Sequence, residues 1–196
     1  MLKTNEVIKT ILERRSVRKY LPEPVAQEDL EVLWQAALYA PTGGNHQYTR
    51  FITVTNLEVL TKINTIVHEE FAKRELDPTD YQNKTVIKAK QPDFNCLYHA
   101  PLLITAVSPT KHGNSMADSA NALENIQLAA TSLGLGSCWV NQLHWLTDNP
   151  RMHAYLLELG MQEDESVFGS VIVGHAAEEL VKARPARKEG RIVVIK

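Results

Sequence analysis

Several stretches of the chain place apolar residues at the spacing of an α-helix, and three of them lie in its first third. The first predicted helix ends at about Arg14, where a run of basic residues begins. The second opens with the adjacent acids Glu28 and Asp29 and stops before Pro41, since the residue before a proline leaves the helical region. Asn56 can cap the third. The three apolar faces are Val7, Ile8, Ile11 and Leu12; Leu30, Leu33, Trp34, Ala37 and Leu38; and Leu57, Leu60, Ile63, Ile66 and Val67.

The most regular helical pattern begins at Asp118 and ends at Gly134. Its face is rich in small residues, so this helix can pack closely against another element and is either a central core helix or a dimer seam. A further helix is predicted between Pro150 and Gly160. The apolar faces of these two helices are Ala122, Leu123, Ile126, Ala129, Ala130 and Leu133; and Met152, Tyr155, Leu156 and Leu159.

Apolar runs without helical spacing predict five strands. Residues 51–55 are rich in β-branched side chains, and the uninterrupted apolar run 101–107 indicates a strand buried on both faces. The other strands are predicted at 136–142, 168–173 and 192–195. Residues 68–98 lose the helical pattern and carry many charges, which indicates an excursion of helical and irregular pieces that forms a lid or a pocket wall.

Length and composition predict one folded domain over residues 1–196. The chain has 196 residues, 44% of them apolar, and no internal repeat, low-complexity segment or linker. Its formal charge of −2 argues against nucleic-acid binding, which needs a broad basic surface, so any anion site must be local. The N-terminus is polar and no apolar run reaches the roughly 18 residues of a membrane span, so no membrane association is expected.

The spacing of cysteines and histidines predicts neither a disulfide framework nor a metal site. Cys96 and Cys138 form no CxxC pair, and a reduced, cytoplasmic protein is the simplest interpretation. His68 is followed by Glu69 and Glu70 without the second histidine of a zinc-binding helix, and the other histidines are scattered.

The densest cluster of chemically useful side chains is the basic run, residues 14–20, with the sequence Arg-Arg-Ser-Val-Arg-Lys-Tyr. It follows the first helix, where the chain turns extended. Arg14, Arg15 and Ser16 are adjacent and can offer several charge-assisted donors and a hydroxyl to one phosphate. Alternatively, the cations only complement the dipole at the helix C-terminus and need no ligand.

A second segment, the glycine loop of residues 40–47, reads Ala-Pro-Thr-Gly-Gly-Asn-His-Gln. Two adjacent glycines let the backbone approach a ligand or a second chain closely. Alternatively, Gly-Gly-Asn is simply a turn. The segment is not a phosphate loop of the Walker type, because no Gly-Lys-Ser/Thr follows.

These motifs, in this order, resemble those of the FMN-dependent nitroreductase family. The resemblance rests on the basic run, the glycine loop, the helix from Asp118 with its Gly134-Leu135-Gly136-Ser137 exit, and Gly174-His175 followed by a basic tail. It covers nearly the whole chain. It implies an α+β class: a nitroreductase-like three-layer fold with a mixed central β-sheet flanked by helices. It also implies a homodimer with FMN at the interface and the C-terminal strand exchanged to the partner.

The resemblance further implies which residues bind the cofactor. The basic run would hold the FMN phosphate and ribityl end and place one cation near the flavin pyrimidine: Arg14, Arg15, Ser16 and, at the pyrimidine, Arg18. The glycine loop of the partner subunit would border the ring through Pro41, Thr42, Gly43, Gly44 and Asn45. One edge of the ring, with a backbone N–H near N5, would lie along Trp139, Val140 and Asn141. Further candidates for the phosphate are Lys182, Arg184 and Arg187.

The implied chemistry belongs to the flavin, which takes hydride from NADH or NADPH and passes electrons to a small acceptor such as a nitroaromatic or a quinone. The phosphate is dianionic and the ring becomes anionic on two-electron reduction, so both ends need donors or cations. With one ring face open, reductant and acceptor would bind in turn, which predicts ping-pong kinetics. No side chain is predicted to be an obligatory acid or base, so no catalytic residue is named.

Two segments depart from the family pattern. Gln47-Tyr48-Thr49 stands where the family often has Gln-Pro-Trp, which bears on the geometry of the partner loop. Asn141-Gln142 stands where the family often has a glycine, which bears on the N5 contact and the shape of the substrate. Two alternatives therefore stay open: a same-fold flavoenzyme with other chemistry, such as a dehalogenase or a dehydrogenase, and a non-catalytic FMN-binding protein.

Overall fold

The structure is a computed structural model that describes residues 4–77, 79–178 and 186–196. Helices and strands alternate along most of this part of the chain. In order they are α1 (Glu6–Glu13), α2 (Gln27–Leu38), a 3-10 turn (Gly43–Asn45), β1 (Arg50–Val54), α3 (Leu57–Ala72), α4 (Asn83–Ala89), β2 (Leu102–Pro109), α5 (Ser115–Ser132), β3 (Gly136–Val140), α6 (Gln142–Trp145), α7 (Pro150–Glu158) and β4 (Glu165–Gly174).

The four strands form one antiparallel sheet in the order β1-β2-β4-β3. The two central strands, β2 and β4, are buried over most of their length, as the uninterrupted apolar run 101–107 predicted. The mixed sheet expected from the resemblance is wrong for the described ranges, where the parallel pairing is confined to an isolated bridge between Ser16 and Ser137. The predicted fifth strand, residues 192–195, does not form there.

Helices cover both faces of the sheet and produce the predicted α+β layers. On one face α3, α4, α6 and α7 pack over a core that includes Leu103 and Ile172. On the other face α2 and α5 pack over a core that includes Leu102 and Val173. Consecutive strand residues therefore enter opposite cores, because successive side chains of a strand point to opposite faces.

The predicted start of α3 is confirmed, and the helix ends later than its apolar pattern indicates. The Asn56 side chain accepts the N–H groups of Glu58 at 2.9 Å and Val59 at 3.1 Å, as a capping residue does. The helix then continues to Ala72 and buries Phe71 completely. The excursion predicted from residue 68 thus begins several residues later, since one buried aromatic extends the apolar face by a turn.

The central helix α5 begins earlier than its sequence pattern indicates. It starts at Ser115 rather than at Asp118, because the buried Ser115 hydroxyl bonds to the Pro109 carbonyl at 2.7 Å and anchors an additional turn. Its predicted end is confirmed by Gly134, which has a φ of +76°. α5 has 18 residues. Neither it nor any other helix within the described ranges is both long and apolar enough to cross a membrane.

Several residues predicted to be buried or paired face solvent. Leu38 and Leu57 lie on predicted core faces, yet they are 61% and 75% exposed because they occupy the ends of their helices. The predicted strand 136–142 ends at Val140, and the chain turns into α6. Residues 192–195 form no strand and are 70–93% exposed. An unpaired strand is not stable in water, so this prediction is wrong for the single chain, and its exchange to a partner stays a prediction.

Candidate functional site

The basic run leaves α1 and docks against the start of β3. Arg14 is the first residue beyond the helix and has an extended ψ of 133°. Val17 then donates its N–H to the Ser137 carbonyl at 2.8 Å, and Ser16 forms a parallel bridge with Ser137. The predicted end of the first helix and its extended exit are therefore confirmed.

Arg15 folds back over the end of α1. One terminal nitrogen of its guanidinium donates to the carbonyls of Leu12 at 2.9 Å and Arg14 at 2.7 Å. The last carbonyls of a helix have no donor within the helix, and a cation there also complements the dipole. Arg15 thus caps α1, as expected if the basic run complements the C-terminus of the helix. The contact of Arg15 with a phosphate stays a prediction.

The side chains of the run alternate as they do along a strand. Val17 is buried, whereas Ser16 and Arg18 are exposed and lie on the same side of the chain. All of these residues lie close to β3. Burial raises the pKa of the Cys138 thiol, and the positive charge of Arg18 lowers it more than any other nearby group does. A hydrogen bond with Ser16 and the charge of Arg14 also lower this pKa, so three polar residues of the run act on the thiol.

The close approach of the run depends on Gly136. A Cβ at this position would lie 2.9 Å from the Cβ and both Cγ atoms of Val17, so a larger residue would push the two segments apart. The Gly-Leu-Gly-Ser exit noted in the sequence therefore has a physical purpose: its second glycine lets the backbone of β3 meet the run.

The far end of the run pairs with the segment that follows β4. Leu21 donates its N–H to the His175 carbonyl at 2.9 Å, and Ala177 donates to the Lys19 carbonyl at 3.0 Å. An antiparallel bridge joins Tyr20 to Ala176. The basic run, the start of β3 and the Gly174-His175 segment, which are distant in sequence, thus lie side by side within one chain.

A cavity of about 440 Å³ opens where the run meets the segment before β2. Arg18 lines it from the run, together with Lys19 and Tyr20. The opposite wall consists of Lys88, Gln91, Asp93, Phe94, Asn95, Tyr98 and His99. The part of the excursion from residue 88 onward therefore forms a pocket wall, as the sequence indicated, but its individual residues were missed.

That wall contains an unusual backbone. Tyr98 and His99 have φ values of 52° and 59°, in the left-handed region that non-glycine residues seldom adopt. Asn95 holds this turn by accepting the N–H groups of Leu97 at 2.9 Å and His99 at 3.3 Å. Such strain concentrates at functional sites. The turn-forming asparagine was the one available sequence signal, because no pattern predicts a left-handed tyrosine.

The glycine loop is fastened to the first turns of α5. The Gly43 N–H donates to the Asp118 carboxylate at 3.1 and 3.3 Å, and the Asn121 side chain donates to the Pro41 carbonyl at 3.5 Å. Arg14 joins the same helix at Glu124, six residues beyond Asp118, so the two attachments are separated by about 9 Å along the helix axis. Contact between the loop and a partner's basic run stays a prediction.

Within the loop, the backbone conformation explains the choice of residues. Gly44 and Asn45 have φ values of 61° and 55°, which glycine and asparagine adopt most readily. Thr42 precedes them and accepts the N–H of Gln47 through its hydroxyl at 3.2 Å. These contacts make the segment a folded 3-10 turn, so its interpretation as a turn is correct, and a ligand-binding role is compatible with it.

At the end of β3, the side chains of Trp139 and Val140 are committed to packing. The Trp139 ring lies over Gly169, where an added Cβ would clash with it, and its indole N–H bonds to the Asn141 side chain. Val140 is buried in the opposite core. A contact of Val140 with a ligand would therefore be made by its backbone, whereas Trp139 is half-buried and keeps part of its surface exposed.

Of the three candidate residues in the basic tail, one lies within the described residues. Lys182 and Arg184 lie outside the described residues, and Arg187 is exposed on irregular chain. Their predicted contact with a phosphate stays a prediction. Among the residues that the structure describes, no group of histidine, cysteine, aspartate and glutamate side chains could hold a metal ion.

The chain is similar to known proteins over nearly its whole length. A family model described as the nitroreductase family matches residues 11–175. The FMN reductase (NAD(P)H) of Bacillus subtilis is 30% identical over 185 residues, covering 91% of this chain and 69% of that protein. A crystal structure of a nitroreductase with bound FMN from Bacteroides fragilis is 36% identical and covers 98% of this chain and 100% of that chain, with a TM-score of 0.88. Another with bound FMN, from Desulfitobacterium hafniense, is 26% identical, covers 99% and 100%, and has a TM-score of 0.86.

Proposed function

Because the chain belongs to the nitroreductase family, we propose that it is an oxidoreductase that binds FMN and uses NADH or NADPH to reduce a nitroaromatic, a quinone or a related small acceptor. The observation that carries this proposal is the docking of the basic run on β3. It brings Arg14, Ser16 and Arg18 to the start of β3, and Arg18 also lines the cavity described above.

The residues at this place fit a phosphorylated flavin. Arg14 is held through Nε, and its two terminal nitrogens form the fork that binds a phosphate bidentately. Ser16 is an exposed residue and adds a hydroxyl. The buried Ser137 hydroxyl next to the run has no hydrogen-bond partner among the described residues. A buried polar group without a partner is uncommon, and it fits a place where a bound molecule completes the structure.

When bound, FMN supplies the two-electron chemistry, accepting hydride from NAD(P)H and passing electrons to the acceptor. The residues of this chain bind and orient. Arg14 and Ser16 hold the phosphate and ribityl end, and Arg18 sets a positive charge beside the pyrimidine edge, where preorganised charge is most effective. Phe94 and Tyr98 give the cavity flat apolar surface for an aromatic acceptor. Reductant and acceptor use one cavity in turn, which gives ping-pong kinetics.

The working unit in this proposal is a homodimer in which each glycine loop borders the partner's flavin. Unpartnered apolar surface supports it: Val7, Ile8 and Ile11 are exposed on α1, and residues 192–195 are exposed at the C-terminus. Contiguous apolar surface of this kind marks protein interfaces. Light scattering should give twice the 22.0 kDa chain mass, and a mass of one chain would contradict the dimer.

The function is tested by spectroscopy on the purified protein. It should be yellow, absorb as a flavoprotein and bleach with NADH or NADPH under nitrogen. Steady-state rates with a nitroaromatic and with a quinone should give parallel double-reciprocal lines, as ping-pong turnover requires. Colourless protein that takes up no added FMN would end the proposal. FMN binding without NAD(P)H oxidation, whatever acceptor is added, would indicate a flavin-binding protein without turnover.

A further inference from the structure

A short chain of contacts runs from the interior of α5 to the guanidinium of Arg14. Gln127 is 3% exposed, and its Nε2 donates to Oε2 of Glu124 at 3.1 Å. The other carboxylate oxygen, Oε1, lies 3.2 Å from Nε of Arg14. Residues three apart on a helix are neighbours, so Gln127 can orient Glu124 without distorting α5. The carboxylate is therefore held from both sides.

The atom by which Arg14 is held matters for its chemistry. Glu124 engages Nε at the side of the guanidinium, and no acceptor for the two terminal nitrogens is present among the described residues. Those nitrogens are the pair best suited to a bidentate phosphate contact. Fixing the guanidinium through Nε restricts a side chain that is otherwise rich in rotamers, so less freedom is lost when an anion binds.

We propose that Glu124, oriented by Gln127, is a positioning residue that presents the fork of Arg14 to the flavin phosphate. This inference rests on the proposed function, because it needs FMN as the ligand. Glu124 also brings a negative charge near a dianion, which opposes binding. Its side chain is 48% exposed, however, so water and salt screen this repulsion, and the orienting effect should be the larger of the two.

The experiment compares two flavins that differ in the phosphate. Apo-protein of each variant is titrated with FMN and with riboflavin, and binding is followed by flavin fluorescence. Glu124→Ala should raise the Kd for FMN about 5- to 10-fold while changing that for riboflavin less than about 2-fold. Glu124→Gln keeps an acceptor for Nε and should stay within about 3-fold of wild type for FMN. In an Arg14→Ala background, Glu124→Ala should have no further effect.

The chain supplies a matched control in α2, where the Gln27 side chain donates to the exposed Glu31 at 3.2 Å. Glu31→Ala removes a similar pair on a different helix and should leave both affinities unchanged. FMN affinity in Glu124→Ala equal to or tighter than wild type would overturn the positioning role. Equal loss for FMN and riboflavin would overturn it too, since that result indicates general damage. A wild-type protein that binds no FMN would instead refute the proposed function.

Discussion

A single methyl group added at Gly136 tests whether the docking of the basic run builds the site. The new Cβ would lie 2.9 Å from three atoms of Val17, whereas carbon atoms pack best at about 3.5–4.0 Å. Val17 cannot retreat alone, because its N–H is bonded to Ser137 at 2.8 Å and its neighbour Ser16 is bridged to the same residue. The run must therefore move away from β3 together with Ser16 and Arg18.

The size of the effect follows from the clash and from the contacts that the run provides. Overpacking a well-packed site costs about 1–3 kcal/mol, and we expect the free energy of unfolding to fall by that amount in Gly136→Ala. Hydrogen bonds to charged groups contribute about 1.5–3 kcal/mol each and weaken steeply with displacement. Displacement of the run should therefore raise the Kd for FMN by about 10-fold or more.

The assay pairs FMN titration with urea unfolding, so that affinity and stability are measured on the same protein. Gly113→Ala is the matched control, because a Cβ there would meet no atom within 4 Å. Val17→Ala removes two of the three clashing atoms, so the double variant with Gly136→Ala should lose less than the sum of the single variants. Wild-type FMN affinity and stability in Gly136→Ala would refute the idea that this contact sets the site.

Two further predictions concern charge and pH. Arg18→Ala should keep the Kd for FMN within about 3-fold, because the charge of Arg18 acts at the ring rather than at the phosphate. Reduction of the bound flavin by NAD(P)H, measured by stopped flow, should become about 10-fold slower or more. Loss of flavin from this variant would contradict that role. Burial raises the pKa of the Cys96 thiol from 9.0 to about 12, and it also raises the pKa of the Tyr20 phenol above its ordinary value. Each group keeps its proton in the folded protein at pH values where the unfolded chain has already lost it. The free energy of unfolding is therefore unaffected by these groups below their ordinary pKa values. It falls as the pH rises from there to the folded pKa, by up to about 1.4 kcal/mol per pH unit for each group. Urea unfolding at pH 8 and pH 10 checks this, with Cys96→Ala as a variant of shallower slope, and a gain in stability at pH 10 would count against it.

Patterns that are local in sequence predicted much of the fold. The apolar run 101–107 identified a central strand, because a strand that is buried on both faces is apolar at nearly every position and does not alternate with polar residues. Asn56 and Gly134 marked helix ends through their own hydrogen bonds and backbone conformations. The order of the motifs indicated the family, whereas the contact of the basic run with the entry to β3 and with Gly174-His175 became visible only in the structure.

Contacts between distant segments account for most of what the sequence did not show. Asp118 marked the start of the predicted helix, yet it is buried and holds the glycine loop through Gly43. Residues 94–99 form a pocket wall whose shape depends on two left-handed residues that no propensity predicts. The predicted strand 192–195 failed for a related reason, since pairing requires an edge that these residues do not reach in one chain.

The central claim is that Arg14 and Ser16 hold the phosphate of FMN. Its most direct test is the Kd for FMN of the Arg14→Ala/Ser16→Ala variant against wild type, both prepared as apo-protein by dialysis. Charge-assisted hydrogen bonds contribute about 1.5–3 kcal/mol each, so their loss should weaken binding by about 2–4 kcal/mol. That change corresponds to about a 30- to 1,000-fold higher Kd. Flavin that stays bound to this variant through dialysis, with unchanged affinity, would contradict the claim and place the phosphate elsewhere.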